Sequence, residues 1–206
     1  VKFQKTTAEK PKQKPTFIVG FPRSGTTLLD TVLRSHPLIQ VVEEKPLIDK
    51  LVANLNQPLR PDSISELSSS KLMELRNIYE SDLKLLCRPI KQNEILIDKF
   101  PLNIIHIPLI KAVFPESKYI LMLRHPCDCV LSCFMQNFEL NEAMVNFLSL
   151  KETAHMYSNV MELWSIYSKQ LALNVEIVRY EELISNFEET STKILNFLNL
   201  KWDNKL

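Results

Sequence analysis

A short polar segment near the N-terminus has the residue types of an anion-binding loop. It contains both glycines of the 206-residue chain, Gly20 and Gly25. Glycine is favoured where the backbone adopts a positive φ or must come close to a ligand. Hydroxyl groups and an arginine fork beside such a turn are suited to hold an oxyanion. The polar side chains of the segment are Arg23, Ser24, Thr26 and Thr27.

The order of these residues predicts a buried strand, a tight loop and the start of a helix. Backbone N–H groups at a helix N-terminus attract anions, as does the helix dipole, which makes the loop a candidate phosphate or sulfate site. The spacing is similar to that of nucleoside-triphosphate-binding loops, but Thr26 replaces their lysine and the cation is Arg23. The alternative is an ordinary strand-to-helix turn with a capping hydroxyl.

Further polar residues follow other predicted strands. Lys99, Arg124 and Tyr180 each lie at a strand end, and Ser132 comes eight residues after Arg124. Parallel α/β sheets bind ligands at the carboxyl ends of their strands, so we expect these side chains at one edge. An arginine with a hydroxyl suits a dianionic phosphate. The alternatives are a solvated lysine, a surface ion pair of the arginine, and a tyrosine packed in the core.

Two consecutive carboxylates, Glu43 and Glu44, follow a short extended run after the first helix. A carboxylate near an anion-binding loop can accept the proton of an attacking hydroxyl, for which partial burial is expected. The alternative is an acidic helix N-terminus that is favoured by the helix dipole.

Several separated motifs resemble those of sulfotransferases that use 3′-phosphoadenosine 5′-phosphosulfate (PAPS). The resemblance is closest to tyrosylprotein sulfotransferases and to bacterial sulfotransferases with upstream tetratricopeptide repeats, and it extends from about Thr16 to the end of the chain. It rests on the loop at 21–28, on the segments 98–103, 119–132 and 178–183, and on the position of Glu44.

This resemblance implies a role for each candidate residue. It makes Glu44 the general base, while Arg23 and Lys99 offset the charge of the transferred group and of the leaving phosphate. The neighbouring Asp98 is expected to hold Lys99 in place. It places the ribose 3′-phosphate at Arg124 and Ser132. The other nucleotide contacts that it implies are Ser24, Gly25, Thr26, Thr27 and, near the adenine, Tyr180.

The implied reaction moves a sulfuryl group from PAPS to an acceptor hydroxyl of a protein tyrosine, a glycan or a small molecule. We expect no metal, because a sulfuryl group carries less negative charge than a phosphoryl group. The alternatives are a kinase or ATPase with a similar loop, and a non-catalytic nucleotide-binding module. Tyrosylprotein sulfotransferases carry arginines after the base for acidic peptides, whereas this chain has Pro46 and Lys50. The acceptor class therefore stays open.

The composition is that of an ordinary globular domain. The formal net charge of +1 gives no reason to expect a nucleic-acid partner, and the sequence has no apolar run long enough for a membrane segment. Three of the four cysteines, Cys127, Cys129 and Cys133, are closely spaced without a common zinc pattern. We expect reduced thiols and a cytoplasmic location.

Alternating strand and helix patterns predict a three-layer α/β/α fold. A central parallel sheet is covered by helices on both faces, as in P-loop-like sulfotransferases. Residues 1–15 are predicted to be a linker. Residues 16–206 are predicted to be a sulfotransferase domain truncated at its C-terminus, with tetratricopeptide repeats upstream in a longer protein. The predicted strands are Thr16–Gly20, Leu38–Val42, Ile95–Asp98, Tyr119–Arg124 and Val175–Tyr180. The predicted helices are Thr26–Ser35, Glu44–Asn54, Ser63–Leu86, Asn103–Phe114, Pro126–Phe138, Asn141–Leu171 and Glu181–Leu198.

Overall fold

The computed structural model describes residues 14–55 and 61–206. Most of the predicted linker lies outside these residues. The sheet that they form has five parallel strands in the order β2-β3-β1-β4-β5, which confirms the predicted parallel α/β architecture. The strands are β1 (Thr16–Gly20), β2 (Ile39–Glu43), β3 (Ile95–Lys99), β4 (Lys118–Leu123) and β5 (Asn174–Arg179).

Helices cover both faces of the sheet, as the three-layer prediction requires. Phe17 and Val19 of β1 face one apolar core, and Ile18 between them faces the other, because successive side chains of a strand alternate. The helices are α1 (Thr26–Arg34), α2 (Leu47–Ala53), α3 (Pro61–Ser65), α4 (Ser69–Leu86), α5 (Ile107–Val113), α6 (Pro126–Met135), α7 (Leu150–Gln170), α8 (Tyr180–Ser185) and α9 (Phe187–Leu198).

The three helices α1, α8 and α9 contribute their apolar side chains to the smaller core, and α2, α4, α5, α6 and α7 contribute to the larger one. No helix within the described ranges combines the length and the apolar character needed to cross a membrane.

Of two predicted long helices, one is interrupted and the other is shortened at its start, and serine N-caps mark where α4 and α7 begin. The predicted helix Ser63–Leu86 is interrupted, and α4 begins after Ser68, whose hydroxyl accepts a hydrogen bond from the Lys71 N–H at 3.2 Å. Within the predicted helix Asn141–Leu171, the α-helix α7 begins only at Leu150, after the N-cap Ser149.

The segment between α6 and α7 contains a 3₁₀ turn at Met144–Leu148. The Asn141 carboxamide oxygen accepts hydrogen bonds from the N–H groups of Ala143 and Met144 and so competes with a regular helix here. A second 3₁₀ segment, Pro101–His106, precedes α5 where one continuous helix was predicted. The predicted helix Glu181–Leu198 is likewise divided into α8 and α9, with Asn186 between them.

Candidate active site

The predicted anion-binding loop connects β1 to α1 and has a left-handed backbone at two positions. Gly25 adopts φ 99°, and Arg23 adopts φ 68°, which is uncommon for a residue with a side chain. A Cβ atom at Gly25 would lie 2.5 Å from the Tyr180 ring, so both the backbone angle and the neighbouring side chain require glycine. At Gly20 a Cβ would lie 2.6 Å from the Met122 carbonyl oxygen. Both glycines therefore allow close packing of the loop.

Of the three loop hydroxyl residues, Thr26 and Thr27 line the cleft described below and Ser24 does not. The Thr27 side chain is exposed. Ser24 is buried, and its hydroxyl has no hydrogen-bond partner among the described residues. Ser24 does not line the cleft, so the structure places this predicted contact beneath the loop and not on its open side.

Arg23 brings two predicted phosphate-binding regions together. Its Nε donates a hydrogen bond to the Ser132 hydroxyl at 3.0 Å, and Nη1 of Arg124 donates to the Arg23 carbonyl oxygen at 3.2 Å. Arg124 and Ser132 also border a separate hollow of about 300 Å³ beside the loop. Residues more than 100 positions apart in sequence therefore form one cationic corner at the carboxyl ends of β1 and β4.

Tyr180 lies against this corner and not inside the cleft. The Arg124 guanidinium lies over the Tyr180 ring at 4.7 Å from its centroid. The next residue, Glu181, accepts a hydrogen bond from the His125 N–H at 2.8 Å, and this bond holds the pKa of its carboxyl below the ordinary value. The start of α8 thus packs against the segment that carries Arg124.

The predicted lysine and the predicted base are in direct contact. The Lys99 side chain is fully buried at the end of β3, and its ammonium lies 2.6 Å from Glu44 Oε1 and 3.0 Å from Glu43 Oε1. The Glu44 N–H also donates to the Lys99 carbonyl oxygen at 2.8 Å, and Glu44 adopts φ 46°. The Glu44 side chain is 51% exposed, so about half of it remains open to solvent.

Two residues that the sequence analysis missed extend this ion-pair network. Arg34 at the end of α1 contacts Glu43 at 2.9 Å and the buried Asp30 at 2.6 Å. The hydrogen bond from Lys99, with contributions from Arg34, lowers the pKa of the Glu43 carboxyl. An aspartate on the apolar face of an amphipathic helix, four residues before an arginine, is the signal that would have indicated this pair.

Asp98 does not hold Lys99 in place as the sequence suggested. Adjacent strand residues point to opposite faces of the sheet, and the Asp98 carboxylate accepts a hydrogen bond from the Tyr79 hydroxyl at 3.0 Å. Burial raises the pKa of Asp98 to about 7, against the lowering effect of the Tyr79 hydrogen bond. The other carboxyl oxygen is buried without a partner among the described residues.

A cleft of about 690 Å³ lies between the loop, the end of β2, the segment after β3 and the segment after α6. The structure thus brings the candidate residues to one edge of the sheet. Within the described residues, no group of three or more His, Cys, Asp or Glu side chains is arranged to hold a metal ion. The predicted site residues that line the cleft are Arg23, Gly25, Thr26, Thr27, Glu44 and Arg124.

Residues 15–204 match a protein-family model that is described as "Sulfotransferase family". The chain belongs to the sulfotransferase family. Protein-tyrosine sulfotransferase 1 of Danio rerio is 26% identical to this sulfotransferase chain over 91% of the chain and 53% of its own length. Protein-tyrosine sulfotransferase A of Caenorhabditis elegans is 27% identical over 92% of the chain and 51% of its own length.

Solved structures of low sequence identity share the fold of this sulfotransferase chain. The sulfotransferase domain from the curacin biosynthetic pathway has a TM-score of 0.64 at 19% identity, covering 94% of this chain and 77% of that one. The sulfotransferase domain from the Synechococcus PCC 7002 olefin synthase has a TM-score of 0.64 at 20% identity, covering 100% and 79%. The chain spans about half, or less, of the length of the first curated relatives that it matches.

Proposed function

We propose that this chain transfers the sulfuryl group of PAPS to an acceptor hydroxyl. The observation that carries the proposal is the meeting of the Arg23 loop with Glu44, whose carboxylate pairs with the buried Lys99 ammonium, in one cleft at the carboxyl edge of the sheet. An anion site beside a buried ammonium and a carboxylate supplies what a sulfuryl transfer needs: charge stabilisation and a proton acceptor.

The loop residues fit the 5′-phosphosulfate end of PAPS. The backbone N–H groups at the start of α1, the Arg23 fork and the hydroxyls of Thr26 and Thr27 are the donors for it. We assign the 3′-phosphate to Arg124 and Ser132. In support of this assignment, the neighbouring hollow is large enough for a phosphate, and the buried Arg124 Nε atom makes no hydrogen bond among the described residues, although it pairs with the Asp128 carboxylate at 3.7 Å.

Transfer follows an in-line displacement. The acceptor oxygen forms a new bond to sulfur, the bond from sulfur to the 5′-phosphate oxygen breaks, and adenosine 3′,5′-bisphosphate (PAP) leaves. The Glu44 carboxylate takes the proton of the acceptor hydroxyl. Arg23 and Lys99 offset the charge that develops on the transferred group and on the leaving phosphate, and this kind of electrostatic stabilisation is usually the largest catalytic contribution.

Lys99 must change partners during this reaction. In the structure, its ammonium is shared by Glu43 and Glu44. We propose that the leaving phosphate draws the ammonium away from Glu44, while Glu43 keeps its contact. The Glu44 carboxylate is then free to take a proton, so the arrival of the nucleotide activates the base.

The two alternatives receive less support. A kinase or ATPase loop uses a lysine where this chain has the buried Thr26. The family match, and the names of the protein-tyrosine sulfotransferases among the relatives, favour sulfuryl transfer. A mouse sulfotransferase of similar fold was solved in complex with PAP (TM-score 0.55, 21% identity, covering 95% of this chain and 61% of that one). A non-catalytic module would bind the nucleotide but transfer nothing.

Calorimetric titration of the full-length protein with PAP, and separately with ATP and Mg²⁺, tests the proposal. We expect PAP to bind and ATP with Mg²⁺ to bind much more weakly. Mass spectrometry of acceptors incubated with PAPS should then show the added mass of one SO₃ group. Binding of ATP with Mg²⁺ but not of PAP would overturn the proposal, and PAP binding without any transfer would favour the non-catalytic module.

We also propose that the protein works in a reducing, cytoplasmic compartment and that residues 16–206 are its sulfotransferase domain. All four cysteines are free thiols in the structure. Burial raises the pKa of Cys129 to about 11 and that of Cys133 to about 12, so both thiols stay protonated and unreactive at neutral pH.

A further inference from the structure

The cleft has two walls of different chemistry. One wall contains the loop and Arg124, to which the proposed function assigns the nucleotide. A second group of lining residues, here called the acceptor wall, comes from the segment after β3 and the segment after α6. Its members are Phe100, Pro101, Leu102, Phe138, Glu139, Asn141 and Met144.

The candidate base is fixed to the acceptor wall. The Glu44 N–H donates to the Lys99 carbonyl oxygen, and Lys99 directly precedes Phe100. A hydroxyl that gives its proton to Glu44 must therefore be carried on a body that lies along Phe100, Pro101 and their neighbours. The acceptor wall is thus the surface that selects the acceptor.

Apolar side chains dominate this wall, and the Phe138 ring is held in place by its neighbours. The Phe138 ring packs against Phe147 at 5.2 Å between centroids, and Phe147 packs against Phe21 at 5.9 Å. The Asn141 carboxamide oxygen already accepts two backbone hydrogen bonds. A preformed apolar surface of this kind binds aromatic or aliphatic groups.

The charges near the base are unfavourable for an acidic acceptor. Among the cleft-lining residues that the structure describes, the carboxylates are Glu43, Glu44 and Glu139, and the cations are Arg23 and Arg124 at the nucleotide wall. The ammonium of Lys99 is buried and already shared by two carboxylates. An anionic acceptor would lie close to like charges without a cation on its own wall, which disfavours it.

We propose that the acceptor of this chain is an uncharged phenol or alcohol with an apolar body, bound along the acceptor wall, and not an acidic peptide. This inference rests on the proposed sulfuryl transfer. Membership of the sulfotransferase family does not specify the acceptor. The acceptor class is inferred from the side chains of this wall and from the charges near it.

Two phenols of similar size and different charge provide the test: 4-propylphenol and 3-(4-hydroxyphenyl)propionate. With the full-length protein at saturating PAPS, we expect kcat/KM for 4-propylphenol to exceed that for the propionate by about tenfold or more. Glu139→Lys should narrow this ratio by raising kcat/KM for the propionate. Glu188→Lys makes the same charge change at an exposed position of α9 and should leave the ratio unchanged.

Titration with PAP in the same preparations tests nucleotide binding separately from the choice of acceptor. If PAP binds and the propionate is the better acceptor, or if PAP binds and no phenol is sulfated, the acceptor inference is wrong while nucleotide binding stands. If PAP does not bind, the proposed function itself fails, and this inference fails with it.

Discussion

The ammonium of Lys99 lies 2.6 Å from Glu44 Oε1, although the Lys99 side chain is fully buried and that of Glu44 is half exposed. A buried ammonium is costly unless it is paired, so the two carboxylates at the end of β2 stabilise Lys99. In the proposed mechanism, the same contact occupies the side chain that accepts the proton. The proposal therefore couples binding of the nucleotide and activation of the base through one ammonium group.

Replacement of Glu44 by Gln tests the base directly. Gln is close in shape but cannot take a proton, so we expect sulfuryl transfer to slow by about 10²–10⁴-fold in single-turnover assays. PAP affinity should not fall, because Glu44 does not belong to the proposed phosphate contacts and its replacement leaves the Lys99 ammonium freer to meet the phosphate. Near-normal turnover of Glu44→Gln would remove Glu44 from the mechanism.

Replacement of Glu43 by Gln tests whether this residue positions Lys99. The variant removes one of the two carboxylates that hold the ammonium, and we expect kcat to fall by about ten- to a hundredfold with little change in PAP affinity, since small displacements of catalytic groups have effects of this size. Glu189→Gln breaks an exposed Lys–Glu pair on α9 and serves as a control without effect on kcat.

A double-mutant cycle decides whether Glu43 acts through Lys99. In a Lys99→Ala background, Glu43→Gln should have no further effect on kcat, because the group that it positions is gone. An undiminished effect of Glu43→Gln in that background would show that Glu43 acts by another route.

The location of the site at the carboxyl edge of the sheet could be predicted from the sequence, because it depends on local patterns. Short β-branched runs fixed the positions of the strands, and parallel pairing then places their carboxyl ends together. The details of the contacts could not be predicted. The Arg23–Ser132 and Lys99–Glu44 contacts join residues that are distant in sequence. They depend on how the connections between the strands fold, which local patterns do not reveal.

Helix boundaries were predicted less well, for a related reason. The apolar spacing over Asn141–Leu171 is compatible with one helix, but the Asn141 side chain and the Ser149 cap impose a turn first. The role assigned to Asp98 was wrong because neighbouring residues in a strand face opposite sides of the sheet, and only the structure shows that Tyr79 lies on its side.

Substitution of Gly25 by Ala should destabilise the loop. A residue with a side chain at φ 99° costs about 1–2 kcal/mol, and the new Cβ would also clash with the Tyr180 ring. We expect a lower free energy of unfolding in urea and weaker PAP binding. Adding Tyr180→Ala should recover the steric part of the unfolding free energy but not the backbone part. Full recovery would show that the backbone angle is unimportant.

The buried Asp98 makes stability depend on pH. Its pKa is about 7 in the folded protein and about 3.8 in the unfolded chain, so the folded state holds the proton more tightly between these values. The stabilisation is complete below the unfolded pKa and is lost as the pH rises through the folded pKa. The difference between the two values corresponds to a loss of a few kcal/mol, about 4 at most.

Asp98→Asn should remove this dependence, because the carboxamide does not titrate and its oxygen can still accept the Tyr79 hydrogen bond. Its buried amide needs a partner that the structure does not provide, so the absolute stability is not the diagnostic quantity. The diagnostic quantity is the change in the free energy of unfolding between pH 5 and pH 8, which should shrink in Asp98→Asn and persist in the exposed control Glu188→Gln. An unaltered pH profile in Asp98→Asn would mean that another buried group carries the effect.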